Sequence, residues 1–90
     1  MALYTFILDH GGGTYISQQE GTDLEAAIRA WSGAPALDIG IKLNRQDQAQ
    51  FKASLTAQNA TSLAGARNVW CLSTIVRGEL ALIHVVLTEG

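Results

Sequence analysis

The sequence holds one cysteine, Cys71, and one proline, Pro35. A lone cysteine excludes an intramolecular disulfide and a cysteine-rich metal site, and it fits a reducing compartment. Charge is scarce too: 16% of residues are Asp, Glu, Lys or Arg, for a net −2. The six basic residues (Arg29, Lys42, Arg45, Lys52, Arg67, Arg77) are dispersed. Nucleic-acid binding needs clustered cations to displace phosphate counterions, so no nucleic-acid partner is expected. No stretch approaches the roughly 20 apolar residues of a membrane span. The opening "MALYTFILDH" has no basic start, and its apolar run is too short for a signal peptide. The expectation is a cytoplasmic protein without membrane association.

Hydrophobic residues, by contrast, make up 48% of the 90 positions. Such a chain buries roughly 60–65% of its unfolded surface as one domain, here residues 1–90. A folded core is expected and disorder is not. The low charge fraction leaves an apolar surface that a second subunit would cover.

"ALYTFILD" (2–9) is a β-branched and aromatic run that reads as a strand, with Tyr4, Phe6 and Leu8 on one face and Leu3 and Ile7 on the other. "TYISQQE" (14–20) is a more polar strand suited to an edge. In "TDLEAAIRAWSGAP" (22–35), Thr22 and Glu25 match a capping box, and Leu24, Ala27, Ile28 and Trp31 make one apolar stripe. Gly33 and Pro35 stop this helix. "ALDIGIKLN" (36–44) alternates like a strand, but Gly40 leaves an extended linker equally open. "RQDQAQFKASLTAQN" (45–59) predicts a second helix, with Asn44 as N-cap and a thin apolar face of Phe51 and Leu55. After a loop at 60–67, "NVWCLSTIV" (68–76) and "LALIHVVLT" (80–88) are strands joined by a tight turn at Gly78.

The order is β-β-α-(β)-α-β-β: an α+β fold with an antiparallel sheet of about four strands and both helices on one face. The first and last strands are apolar throughout and are expected inside the sheet. The edges are then 14–20 and 68–76. The second face would carry Leu80, Leu82, Val86, Leu3 and Ile7 with no helix to cover them. An apolar face of this kind marks an association surface.

The chemical candidates are few. "HGGGTYIS" (10–17) has three glycines, but no lysine follows and the next element is a strand. A hairpin turn with φ > 0 positions therefore explains it better than a phosphate loop does. Asp9 and His10 are adjacent strand residues facing opposite sides, which opposes their acting as a pair. Those side chains read as a solvated turn. His84, among aliphatics, is expected to be a neutral core residue with one hydrogen-bond partner. Cys71 lies in the facing strand, where it could neighbour His84; a buried structural thiol is the favoured reading. Trp31 and Trp70 are expected to pack against each other in the core. No catalytic residue, metal ligand or cofactor is assigned.

"LYTFILDHGGGTYISQQEGTDLEAAIRAW" (3–31) resembles the N-terminal β-β-α unit of HicB-type antitoxins, about a third of the chain. Gly13 and Tyr15 match the family's glycine and aromatic, and Gly21, Glu25 and Ala26 partly match the segment that opens its helix. The resemblance implies a partial ribonuclease-H-like fold and an antitoxin-like or regulatory role. The whole chain is also similar to small bacterial proteins with a Gly-Gly-Thr-Tyr-Ile-Ser segment, a likeness that implies no activity. The leading expectation is a non-catalytic homodimeric or protein-binding module. A regulatory antitoxin-like partner comes second, and a small enzyme is a distant third.

Overall fold

The computed structural model describes residues 1–33 and 44–90. Its elements are β1 (Ala2–His10), β2 (Gly13–Gly21), α1 (Leu24–Ser32), α2 (Arg45–Ser54), a single 3-10 turn (Ala57–Asn59), β3 (Thr61–Ser62), β4 (Val69–Val76) and β5 (Glu79–Glu89). The strands form one antiparallel sheet in the order β2-β1-β5-β4-β3. The α+β class follows. Of the segment 36–44, read as a strand or an extended linker, residues 36–43 lie outside the described residues.

Two tight hairpins organise the sheet. His10 pairs with Gly13, leaving Gly11 (φ 59°) and Gly12 (φ 83°) as a two-residue loop. Val76 pairs with Glu79 around Arg77 (φ 53°) and Gly78 (φ 80°). Two successive positive φ values are what a type I′ hairpin turn demands. The glycine run is a turn between strands, as its sequence context predicts. Between the hairpins, β1 pairs with β5, and one extra residue near Leu3 and Tyr4 shifts the register. The two strands apolar on both faces are thus interior, each with a hydrogen-bonded neighbour along both edges.

The core fills one side of the sheet. Tyr4, Phe6 and Leu8 from β1, Ala81, Ile83 and Val85 from β5, and Leu72 and Val76 from β4 are buried against Ala27, Ile28 and Trp31 of α1 and Phe51 of α2. The Trp31 ring stacks on Phe6 at 4.6 Å and 8°, tilts against Phe51 at 5.6 Å, and donates its indole N–H to Ser17 Oγ at 2.9 Å. Trp70 lies against Tyr4 instead, at 6.3 Å. The two tryptophans therefore pack on different rings, which corrects the expectation of a Trp–Trp contact. Trp31 projects from α1 onto Phe6 and Phe51, whereas Trp70 sits in β4 beside Tyr4.

Several local readings shift. The α1 N-cap is Asp23, whose carboxylate accepts from Ala26 N at 2.8 Å, rather than Thr22. Gly21 is buried beneath the first turn, and this fixes the helix to start one residue later. The N-cap Asn44 accepts from Asp47 N at 2.7 Å, as expected. However, α2 stops at Ser54, because Ser54 Oγ turns to Thr74 Oγ1 at 2.7 Å and Leu55 drops into the core in an extended conformation. The 60–67 loop contains β3, whose pairing of Thr61 with Cys71 and Ser62 with Trp70 makes five strands among the described residues, where about four were expected. A two-residue strand has no periodicity to betray it.

Candidate functional site

Both helices pack on the same sheet face, α1 over β2 and α2 over β4. The opposite face is built from the alternate residues of each strand. One row across the strands reads Ile16, Ile7, His84, Cys71, Thr61. Beside it run Gln18, Thr5, Val86, Val69 on one side and Thr14, Asp9, Leu82, Ser73 on the other. Leu80 pairs with Ile75 beyond them.

Leu80, Leu82, Val86, Leu3 and Ile7 all lie on this face. Among the described residues, Ile16, Ile75 and Leu80 are the large aliphatics most open to solvent, at 68%, 59% and 59% exposure. Leu3, Ile7, Leu82 and Val86 are half-buried. Ile16 and Ile75 belong to this surface as well. The sequence signal for Ile75 was its alternation with Val76 and Thr74, while Ile16 sat in a strand read as polar.

Polar groups frame the stripe. Thr5, Thr88 and Gln18 are linked: Thr5 Oγ1 meets Thr88 Oγ1, and Gln18 Nε2 donates to Thr5 Oγ1 at 3.1 Å. At the other end Thr14 Oγ1 donates to Asp9 Oδ1 at 2.6 Å.

Cys71 and His84 do face one another across the β4–β5 ladder. They are half-buried on the open face, not sealed in the core, which corrects their expected burial. The helices chose the other face of β5, so Ala81, Ile83 and Val85 take the core. His84 makes no hydrogen bond to another described residue, unlike the core histidine expected. The Cys71 thiol is directed to Leu72 O at 3.9 Å. Among the described residues no acid orients the imidazole, so there the pair has the proximity of a nucleophile and base without the third group that such a site uses.

His10 is not a solvated turn residue either. Its Nε2 lies 3.3 Å from Val76 O and 3.7 Å from Glu79 Oε2, so it joins the two hairpins, and Asp9 faces the other way. Among the described residues, no cluster of three or more His, Cys, Asp or Glu is placed to hold a metal ion. Nor is any described helix long and apolar enough to cross a membrane. The cleft between α1 and α2, lined by Glu25, Arg29, Ser32, Lys52, Leu55 and Thr56, holds about 100 Å³, and a shallower groove lined by Gly33, Arg45, Gln48, Ala49 and Lys52 holds about 270 Å³. Small-molecule sites run to roughly 300–1,000 Å³. The open sheet face is the stronger candidate.

No family model matches this chain, and no curated protein or solved structure does.

Proposed function

We propose that this protein is a self-associating or protein-binding module that works by contact rather than by chemistry, through the sheet face opposite its helices. The observation that carries the reading is the stripe of Ile16, Ile7, Leu82, Val86, Leu80 and Ile75 across the sheet. Three of these side chains are more than half exposed.

Functional apolar patches on small proteins reach about 300–600 Å². At about 25 cal/mol per Å², covering one is worth roughly 8–15 kcal/mol. Association costs about 4–15 kcal/mol, so a surplus sufficient for a dimer is available only if packing is good. A second copy is the natural occupant, because a two-fold axis lets each stripe cover the other.

The experiment is light scattering at micromolar concentration on the native protein and on Leu82→Asp. Native protein above monomer mass, with the variant reduced in mass but unchanged in circular dichroism, is the expected outcome. A native protein that scatters as a monomer would refute self-association.

A second reading is a regulatory partner of the antitoxin type in a bacterial setting. Its support is the succession β1, β2, α1 over residues 3–31, the layout that the antitoxin resemblance implies. Co-expression with a small basic protein encoded beside it distinguishes the readings: only a regulatory partner forms a stoichiometric complex that silences the neighbour's activity.

A further inference from the structure

The sheet has two edges, and they are treated differently. Along β4 the outer side is capped by β3 at Trp70 and Cys71, and Leu63 N continues the cover by donating to Val69 O at 3.2 Å. No described strand pairs with the outer side of β2. That strand is nine residues long, unbroken in register, and carries no proline, lysine or bulge. These are the devices by which edge strands ordinarily avoid pairing with another chain.

The geometry of the edge follows from the hairpin. Since His10 and Gly13 close a two-residue turn, they form a hydrogen-bonded pair, and such pairs alternate along an antiparallel ladder. Gly13, Tyr15, Ser17, Gln19 and Gly21 therefore turn their backbone groups toward β1. Thr14, Ile16, Gln18 and Glu20 turn theirs outward. Of the outward carbonyls, Glu20 O takes a side-chain donor, Gln19 Nε2 at 3.2 Å.

We infer that the β2 edge is a second interface, at which another copy of this chain adds its own β2 antiparallel to form a continuous ten-stranded sheet. Only the register centred on Ser17 pairs all nine residues. It sets Gly13 against Gly21, Thr14 against Glu20, Tyr15 against Gln19 and Ile16 against Gln18. Thr14, Ile16, Gln18 and Glu20 then form the hydrogen-bonded pairs, so each outward group meets an outward partner. Glu20 is the one charge in β2, and it faces a threonine hydroxyl rather than its own copy.

The occupant is a second copy because this strand is complementary to itself and because the pairing extends an existing surface. The two-fold axis stands normal to the sheet, so both open faces lie on one side. The two Ile16 side chains, each 68% exposed, become diagonal neighbours joining the two apolar stripes. The edge contact is separate from the face contact proposed above, although it presents that face at twice the width.

The test uses variants that block each surface alone. Proline at an outward position removes no hydrogen bond to β1, so Gln18→Pro or Glu20→Pro blocks the edge while leaving the β1–β2 ladder and the aliphatic stripe whole. With the open face blocked by Leu82→Asp, light scattering at micromolar concentration is expected to give a dimer. Adding Gln18→Pro, or Glu20→Pro if the first fails to fold by circular dichroism, should halve that mass. A Leu82→Asp protein that is already monomeric overturns the edge interface and leaves the face reading standing. A mass unchanged by Leu82→Asp but halved by Gln18→Pro supports the edge and removes the face. In the native protein the amides of Thr14, Ile16 and Glu20 should also be protected from hydrogen exchange, and should lose that protection in Gln18→Pro. Rapid exchange of all three in the native protein overturns the inference independently.

Discussion

Replacing Gly21 with alanine should loosen the joint between sheet and helix. Gly21 ends β2 and is buried under the first turn of α1. A Cβ there would sit 2.6 Å from Ala27 N, 2.8 Å from Ala27 Cα and 2.9 Å from Ala27 Cβ. Two of these are backbone atoms, and Ala27 N is already engaged, donating to Asp23 O at 3.1 Å. The clash cannot be relieved by a rotamer change. The helix must move several tenths of an ångström off the sheet, and the Trp31–Phe6 stack moves with it. Overpacking of this kind costs about 1–3 kcal/mol. For a domain this size each kcal/mol lowers Tm by roughly 4–8 °C. Gly13→Ala is the comparison: its Cβ would meet Tyr15 Oη at 2.6 Å, a half-buried side chain that can yield where the Ala27 backbone cannot. Thermal unfolding followed by circular dichroism should show Gly21→Ala melting several degrees below native, with Gly13→Ala close to native. Equal melting of the two variants would refute the reasoning.

The helix cap gives a second comparison: Asp23→Ala should cost about 0.5–2 kcal/mol in urea unfolding, whereas Thr22→Ala should cost little. A larger loss at Thr22 would restore the capping box. A third concerns alkaline pH, since burial, and secondarily the Asp23 carboxylate, raise the Tyr4 phenol above its ordinary 10.0. The folded state then keeps a proton that the unfolded chain releases, so this contribution is whole below about pH 10 and is lost as pH rises through the folded value. Tyr4→Phe should flatten the alkaline limb of the stability profile, and an unchanged limb in that variant would exclude Tyr4 as its source.

Sequence by itself determined whatever depends on near neighbours. Alternation set which residues of β1 and β5 share a face, because side chains on a strand alternate by geometry alone. Gly11, Gly12 and Gly78 marked both hairpins, since few other residues accept positive φ. Spacing of Leu24, Ala27, Ile28 and Trp31 located α1, and Asn44 located the start of α2. Even the pairing of Cys71 with His84 could be counted from the Gly78 turn.

Tertiary structure decided what depends on distant partners. Alternation cannot say which face of β5 the helices will cover, and that choice sent Ala81, Ile83 and Val85 inward and left His84, Cys71 and Leu82 on the open side. The Asp23 cap depends on how closely α1 sits on Gly21, and β3 exists because β4 offers its edge to Thr61 and Ser62. His10 meets Val76 and Glu79 only because β1 pairs with β5, which brings together hairpins separated by more than sixty residues. Each of these is a contact between segments remote in the chain, for which local propensity carries no signal.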